Sequence, residues 1–93
     1  MFDWDEANLE HIARHGVTRE EAEQAVEIAP LDLTHEYYED EERFLLAGIT
    51  SAGRVLLVVT TVRGDRMRVV TAYEAPAAMK RKYWEEKGDK DGE

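Results

Sequence analysis

The stretch from Arg54 to Tyr73, RVLLVVTTVRGDRMRVVTAY, reads as one β-hairpin. Val55 to Val62 is an almost unbroken β-branched and aliphatic run, and Met67 to Tyr73 is a second. Gly64-Asp65 lies between them, a pair suited to the positive φ values of a two-residue hairpin turn. With those two residues as the loop, Arg63 faces Arg66, Thr61 faces Arg68, Val59 faces Val70 and Leu57 faces Ala72. Side chains alternate along a strand, so these pairs share one face. The other face carries Val62 with Met67, Thr60 with Val69, Val58 with Thr71, and Leu56 with Tyr73. One face is then largely apolar, while the other gathers Arg63, Arg66 and Arg68 near the turn. Like charges directly opposite one another are unfavourable in a sheet, which makes an anionic partner one way to compensate Arg63 against Arg66. The alternative is a solvated turn flanked by long side chains. A slip of one residue would scatter the cluster.

Ninety-three residues are one small domain with a thin core. The absence of cysteine excludes disulfides and thiolate metal sites. No apolar run is long enough for a bilayer, and the acidic start MFDWDEAN is unlike a secretory signal, so the expectation is a soluble cytoplasmic protein. Twenty-one acids against twelve bases give a net charge of −9, which on its face argues against nucleic acid. The distribution matters more. Residues 1–42 hold fourteen acids and two bases, whereas residues 43–84 hold two acids and eight bases. The basic second half can face a polyanion, and the acidic half a basic partner.

Outward from the hairpin, Phe2 to Trp4 is a possible edge strand. Asp5 to His15 is a first helix stopped by Gly16. Thr18-Arg19-Glu20-Glu21 is a capping box, with Val17 and Ala22 spaced as its hydrophobic staple. The second helix buries Ala22, Ala25, Val26 and Ala29 and ends at Pro30. Leu31, Leu33 and Tyr37 suggest a short strand before an acidic loop at Glu39 to Glu42. Arg43 to Thr50 is the next strand, and Ser51-Ala52-Gly53 turns the chain into the hairpin. Pro76 suits the first position of a last helix, with Ala78, Met79, Lys82 and Tyr83 at helical spacing. The fold class is α+β, a small antiparallel sheet with two N-terminal helices and one C-terminal helix packed on one of its faces. The domain spans 1–86, and 87–93 is expected to be a disordered acidic tail.

His11 and His15 are four residues apart, which places two imidazoles on one helical side. HIARH lacks the glutamate of the zinc-protease helix and no third ligand is evident, so no metal or other cofactor is expected. Either histidine can carry a proton near neutral pH, or simply cap or pack. Ser51 is the only serine and lacks a nucleophile-elbow sequence. There remains a set of cations from separate segments: Arg43, Arg54, Arg63, Arg66, Arg68, Lys80 and Arg81. Tyr73 and Tyr83 are available for stacking or proton transfer. Such a set can bind phosphate and stabilise charge that develops during RNA cleavage without a metal.

The run F-D-W-D (2–5), ARHGVTREEAEQAVE (13–27), Pro30, EER (41–43), Gly48, GRVLLVVTTVRG (53–64), RMRVVTA (66–72) and Tyr83 resembles the BrnT-type toxins of bacterial toxin–antitoxin systems. The resemblance spans nearly the whole chain in the family's order. It implies a RelE/ParE-like fold and a ribonuclease that needs no metal and inhibits translation. It also implies a ribbon-helix-helix antitoxin similar to BrnA and binding of operator DNA only through the toxin–antitoxin complex. In that role Arg63 and Arg68 would act on the phosphate, and His15 or Tyr83 would move protons. Arg43, Arg54, Arg66, Lys80 and Arg81 would hold RNA. Many members follow the last strand with Ser-Ala-Arg; here Thr71-Ala72-Tyr73 puts a tyrosine in the arginine's place. An antitoxin able to exclude RNA would cover the arginine face, burying Arg68 and Tyr83. The runner-up is a catalytically inactive binding module that keeps the fold and the partner surface. A third reading is an oligomerising structural protein.

Overall fold

The computed structural model describes residues 1–88. The chain runs α1 (Glu6–Ala13), α2 (Arg19–Glu27), β1 (Leu31–Tyr38), β2 (Glu41–Ile49), β3 (Val55–Arg63), β4 (Arg66–Glu74) and α3 (Ala77–Tyr83), with a short π-type turn at Trp84–Gly88. The four strands form one antiparallel sheet in sequence order. That is the expected α+β class. The expected tail begins inside the π-type turn at Lys87, and its residues 89–93 lie outside the described residues.

Local signals act where the sequence places them. The Asp5 side chain accepts from the Asn8 backbone at the start of α1. At its end Val17 N–H donates to Ile12 C=O and Gly16 N–H to Ala13 C=O, with Gly16 at φ +73°. This closure needs the left-handed conformation that glycine tolerates. Thr18 and Glu21 exchange both capping-box hydrogen bonds, at 3.1 and 3.0 Å. Phe2 contributes one parallel bridge to Met67 beyond the edge of β4.

Three expectations are corrected. First, residues 31–42 are not a short strand and an acidic loop. β1 is eight residues long, and Glu39-Asp40 form a two-residue turn at φ +50° and +68° that hands Glu41 and Glu42 to β2. The positive φ values fit a tight hairpin turn, but Glu-Asp lacks the glycine that usually signals one. Second, the β3–β4 register holds for Arg63–Arg66, Val62–Met67, Thr61–Arg68 and Thr60–Val69, then shifts by one. Val70 is the extra residue of a bulge, so Val59 faces Thr71, Val58 faces Ala72 and Leu57 faces Tyr73. Third, the helices do not share one face. Leu46, Leu56, Val58, Val69 and Ala72 bury against Ile12, Val17, Ala22 and Ala25 of the N-terminal helices. Ala47, Val55 and Leu57, whose side chains alternate with those, bury against Ala75 and Tyr83 on the other side, together with Met79. Both faces of β2 and β3 are apolar at this end, so each recruits a helix.

Gly48 fixes the closest approach. A β-carbon there would run into the backbone carbonyl of Ala25 and lie 2.8 Å from its Cα, so α2 rests directly on β2. Pro76 is the residue before α3 rather than its first, with φ −63° and ψ 162°. Of the four residues expected along α3, Tyr83 is buried and Met79 half-buried, while Ala78 and Lys82 are exposed.

Candidate RNA-binding face

The cations divide between the two ends of the sheet. Arg43 on β2 is opposite Thr61 on β3, and Thr61 is opposite Arg68 on β4. One step nearer the turn, Arg63 and Arg66 face each other. Strand alternation puts all four arginines on the sheet face that, at its other end, carries α3. The expected cluster of Arg63, Arg66 and Arg68 is therefore real, and β2 adds Arg43 to it.

Carboxylates partly satisfy this cluster. Glu41 is shared by Arg43 at 3.1 Å and Arg63 at 3.6 Å. Arg43 also lies 4.8 Å above the ring of Tyr38. Arg68 donates to Asp5 at 2.6 Å and approaches Asp3 at 3.8 Å. The Arg68 hydrogen bond, helped by the Asn8 backbone N–H, holds the Asp5 carboxyl below its ordinary range. Arg66 is exposed and makes no ion pair among the described residues. Four guanidinium groups thus stand against Glu41, Asp5 and the more distant Asp3, and Arg63 keeps 60% of its side chain exposed.

At the other end Arg54 leads into β3 and acts as a clamp. Its guanidinium donates to the Gly16 carbonyl at 2.8 Å, to Glu21 at 3.0 Å and to Glu74 at 3.3 Å. It ties the α1–α2 link to the end of β4. Glu21 is held below its usual range first by the Thr18 backbone N–H and then by Arg54. Glu74 is held low chiefly by Lys80, at 2.7 Å, with Arg54 adding to the effect. Arg81 is exposed on α3. Arg54, Lys80 and Arg81 are thus not brought together with Arg43, Arg63, Arg66 and Arg68.

Tyr83 is 1% exposed, and its hydroxyl donates to the Ala29 carbonyl at 2.7 Å. Burial pushes that hydroxyl above its ordinary range. The side chain is part of the core, away from the arginines, and it is already covered within this chain, which corrects the expectation that a partner would bury it. His15 is exposed just beyond α1, its ring 5.1 Å from that of His11 and 6.0 Å from that of Tyr73. Of two further residues of this surface, the sequence did not single out Tyr38 and placed Tyr73 on the wrong face. Tyr38 is the last residue of β1, one beyond the short strand expected from Leu31, Leu33 and Tyr37, and a two-residue turn at Glu39-Asp40 places it opposite Glu41. Tyr73 was assigned to the opposite face because the bulge leaves no mark in the run VVTAY.

Among the described residues no group of three or more His, Asp or Glu side chains is arranged to hold a metal ion. No described helix is long and apolar enough to cross a membrane. No curated protein matches the chain. A family model described as the ribonuclease toxin BrnT of type II toxin–antitoxin systems matches residues 4–78, from Trp4 on the N-terminal segment into α3. That match takes in both N-terminal helices and all four strands, and the chain belongs to the BrnT family of ribonuclease toxins.

Proposed function

We propose that this chain cleaves RNA without a metal ion and thereby inhibits translation, holding the strand on the face that carries Arg43, Arg63, Arg66 and Arg68. The observation that carries this reading is their register: four guanidinium groups lie on one face, and Arg66 has no carboxylate partner among the described residues. Arginine presents a planar fork of donors that matches phosphate oxygens. Glu41 and Asp5 hold the neighbouring arginines in place, and an incoming phosphate can share or replace them. Tyr38, 56% exposed beside Arg43, offers a ring on which a base can stack.

As a type II toxin the chain pairs with an antitoxin. We propose a ribbon-helix-helix protein in that role, covering the arginine face, with operator DNA bound only by the complex. An acidic or amphipathic segment of such a partner would compete directly with RNA.

The test is purified protein with RNA in excess chelator. Cleavage should persist, and Arg63→Ala with Arg66→Ala should weaken binding and flatten its salt dependence. RNA left intact by folded wild-type protein at every concentration would favour the binding module. The observation on that side is that three of the four arginines already have a carboxylate partner in Glu41 or Asp5.

A further inference from the structure

The bulge at Val70 does more than correct a register. It puts Arg68, Thr71 and Tyr73 on one side of β4. α1 lies along this strand, and Asp5, His11 and, just beyond its end, His15 meet those three in order. Asp5 at its N-cap binds Arg68 at 2.6 Å, the Nε2 atom of His11 is 3.1 Å from the Thr71 hydroxyl, and the ring of His15 lies 6.0 Å from that of Tyr73. The result is a seam with a cation at one end and two imidazoles at the other, their rings 5.1 Å apart and edge to face. Both histidines are exposed, so a strand lying over Arg68 can reach them.

We propose that His11 and His15 are the proton-transfer pair for RNA cleavage, a proposal that rests on the ribonuclease reading above. One neutral imidazole takes the proton of a ribose 2′-hydroxyl, whose oxygen attacks the adjacent phosphorus. The O2′–P bond forms and the P–O5′ bond breaks. The other ring, entering as imidazolium, gives its proton to O5′. The products are a 2′,3′-cyclic phosphate and a 5′-hydroxyl, with no water, metal or redox partner consumed. The Arg68 guanidinium, three strand residues from Thr71, lies within reach of the same or a neighbouring phosphate. Thr71 is a positioning residue. A hydroxyl both donates and accepts, so it holds His11 in either protonation state. Glu10 and Arg14 flank the pair on the α1 segment, and Tyr73 and Glu74 lie on β4. Arg54 reaches the carbonyl of Gly16, next to His15.

The experiment measures single-turnover cleavage of a labelled mixed-sequence RNA from pH 5 to 9 for the wild type, His11→Asn and His15→Asn. Binding is measured separately with the all-2′-deoxy strand, which cannot form the cyclic phosphate. The wild type should give a bell-shaped profile. Each variant should lose about 10²- to 10³-fold in rate and one limb of the bell, with binding of the deoxy strand unchanged. Thr71→Val should lower the rate and Thr71→Ser should restore it. Titration with inorganic phosphate should shift the imidazole NMR signals of His11 and His15 but not those of His35 on β1. Histidine variants that keep the wild-type rate and both limbs, while Arg66→Ala still weakens RNA binding, would overturn the pair and leave the ribonuclease reading standing. A folded wild type that never cleaves RNA would overturn both.

Discussion

The two ends of the sheet use the same residue type for opposite purposes. At the end where α3 packs, Arg54 spends its donors on Gly16, Glu21 and Glu74, and Lys80 takes the other oxygen of Glu74. At the turn end, Arg43 and Arg63 share Glu41, and Arg66 makes no ion pair among the described residues. A saturated arginine joins elements, whereas an undersaturated one is poised for an anion. Sequence position does not distinguish them, because both kinds sit beside β-branched runs. What separates them is how many carboxylates the fold brings within reach.

Breaking the architectural end should cost most. Gly48→Ala drives a β-carbon into the Ala25 carbonyl and should lower stability by about 3 kcal/mol in urea denaturation, since α2 must lift off the sheet. An unchanged midpoint would mean that α2 is not seated on β2. Arg54→Ala removes the clamp of three acceptors and should cost about 2 kcal/mol, with RNA affinity retained. A normal midpoint with lost RNA binding would move Arg54 to the other class. Tyr83→Phe deletes one buried hydroxyl contact and should cost about 1 kcal/mol while leaving RNA cleavage intact. Lost cleavage at unchanged stability would restore Tyr83 as a proton carrier.

Smaller again is the effect of acid. Asp5, Glu21 and Glu74 have ordinary values of 3.8, 4.5 and 4.5, and each is lowered in the folded chain. Their contribution is complete above those ordinary values and is lost as pH falls through the lowered ones. Thermal melts should therefore weaken below about pH 4.5, less steeply in Glu74→Gln. Equal slopes in both proteins would remove Glu74 from the linkage. Least change in stability is expected from Arg63→Ala and Arg66→Ala, under about 0.5 kcal/mol each. Their readout is the salt dependence of RNA binding, whose slope should fall by about 0.7 for each phosphate contact removed. A large loss of stability would show that the turn arginines also hold the fold.

Much of the scaffold was legible because its signals are local. Thr18 and Glu21 satisfy helix-end donors within one turn, Gly16 closes α1 from its own φ, and Gly64, at φ +63°, turns the hairpin so that Arg63 meets Arg66. β1 was only half legible. Its turn uses Glu39-Asp40, and its residues from Thr34 to Tyr38 are exposed, which leaves no apolar alternation to read. The candidate site was legible in part: the hairpin turn placed Arg63, Arg66 and Arg68 on one face, while Arg43 joined them only through the β2–β3 register. The arginines were visible, but Arg54 and Lys80 could not be separated from Arg66 until Glu21 and Glu74 had positions.

By itself the sequence determined the helix ends, the hairpin turn, the segregation of charge and the family, all of which depend on neighbours along the chain or on a pattern of residues. Tertiary structure alone decided which face each helix covers, where β4 bulges and which arginines are left undersaturated. The bulge is the sharpest case. Val69, Val70 and Thr71 are all β-branched and each would fit either face of a strand. The choice falls to packing, because Val69 and Ala72 both bury against the N-terminal helices. Two residues on that side separated by three positions cannot both point inward along a regular strand, so Val70 is displaced and Thr71 and Tyr73 turn toward the arginine face.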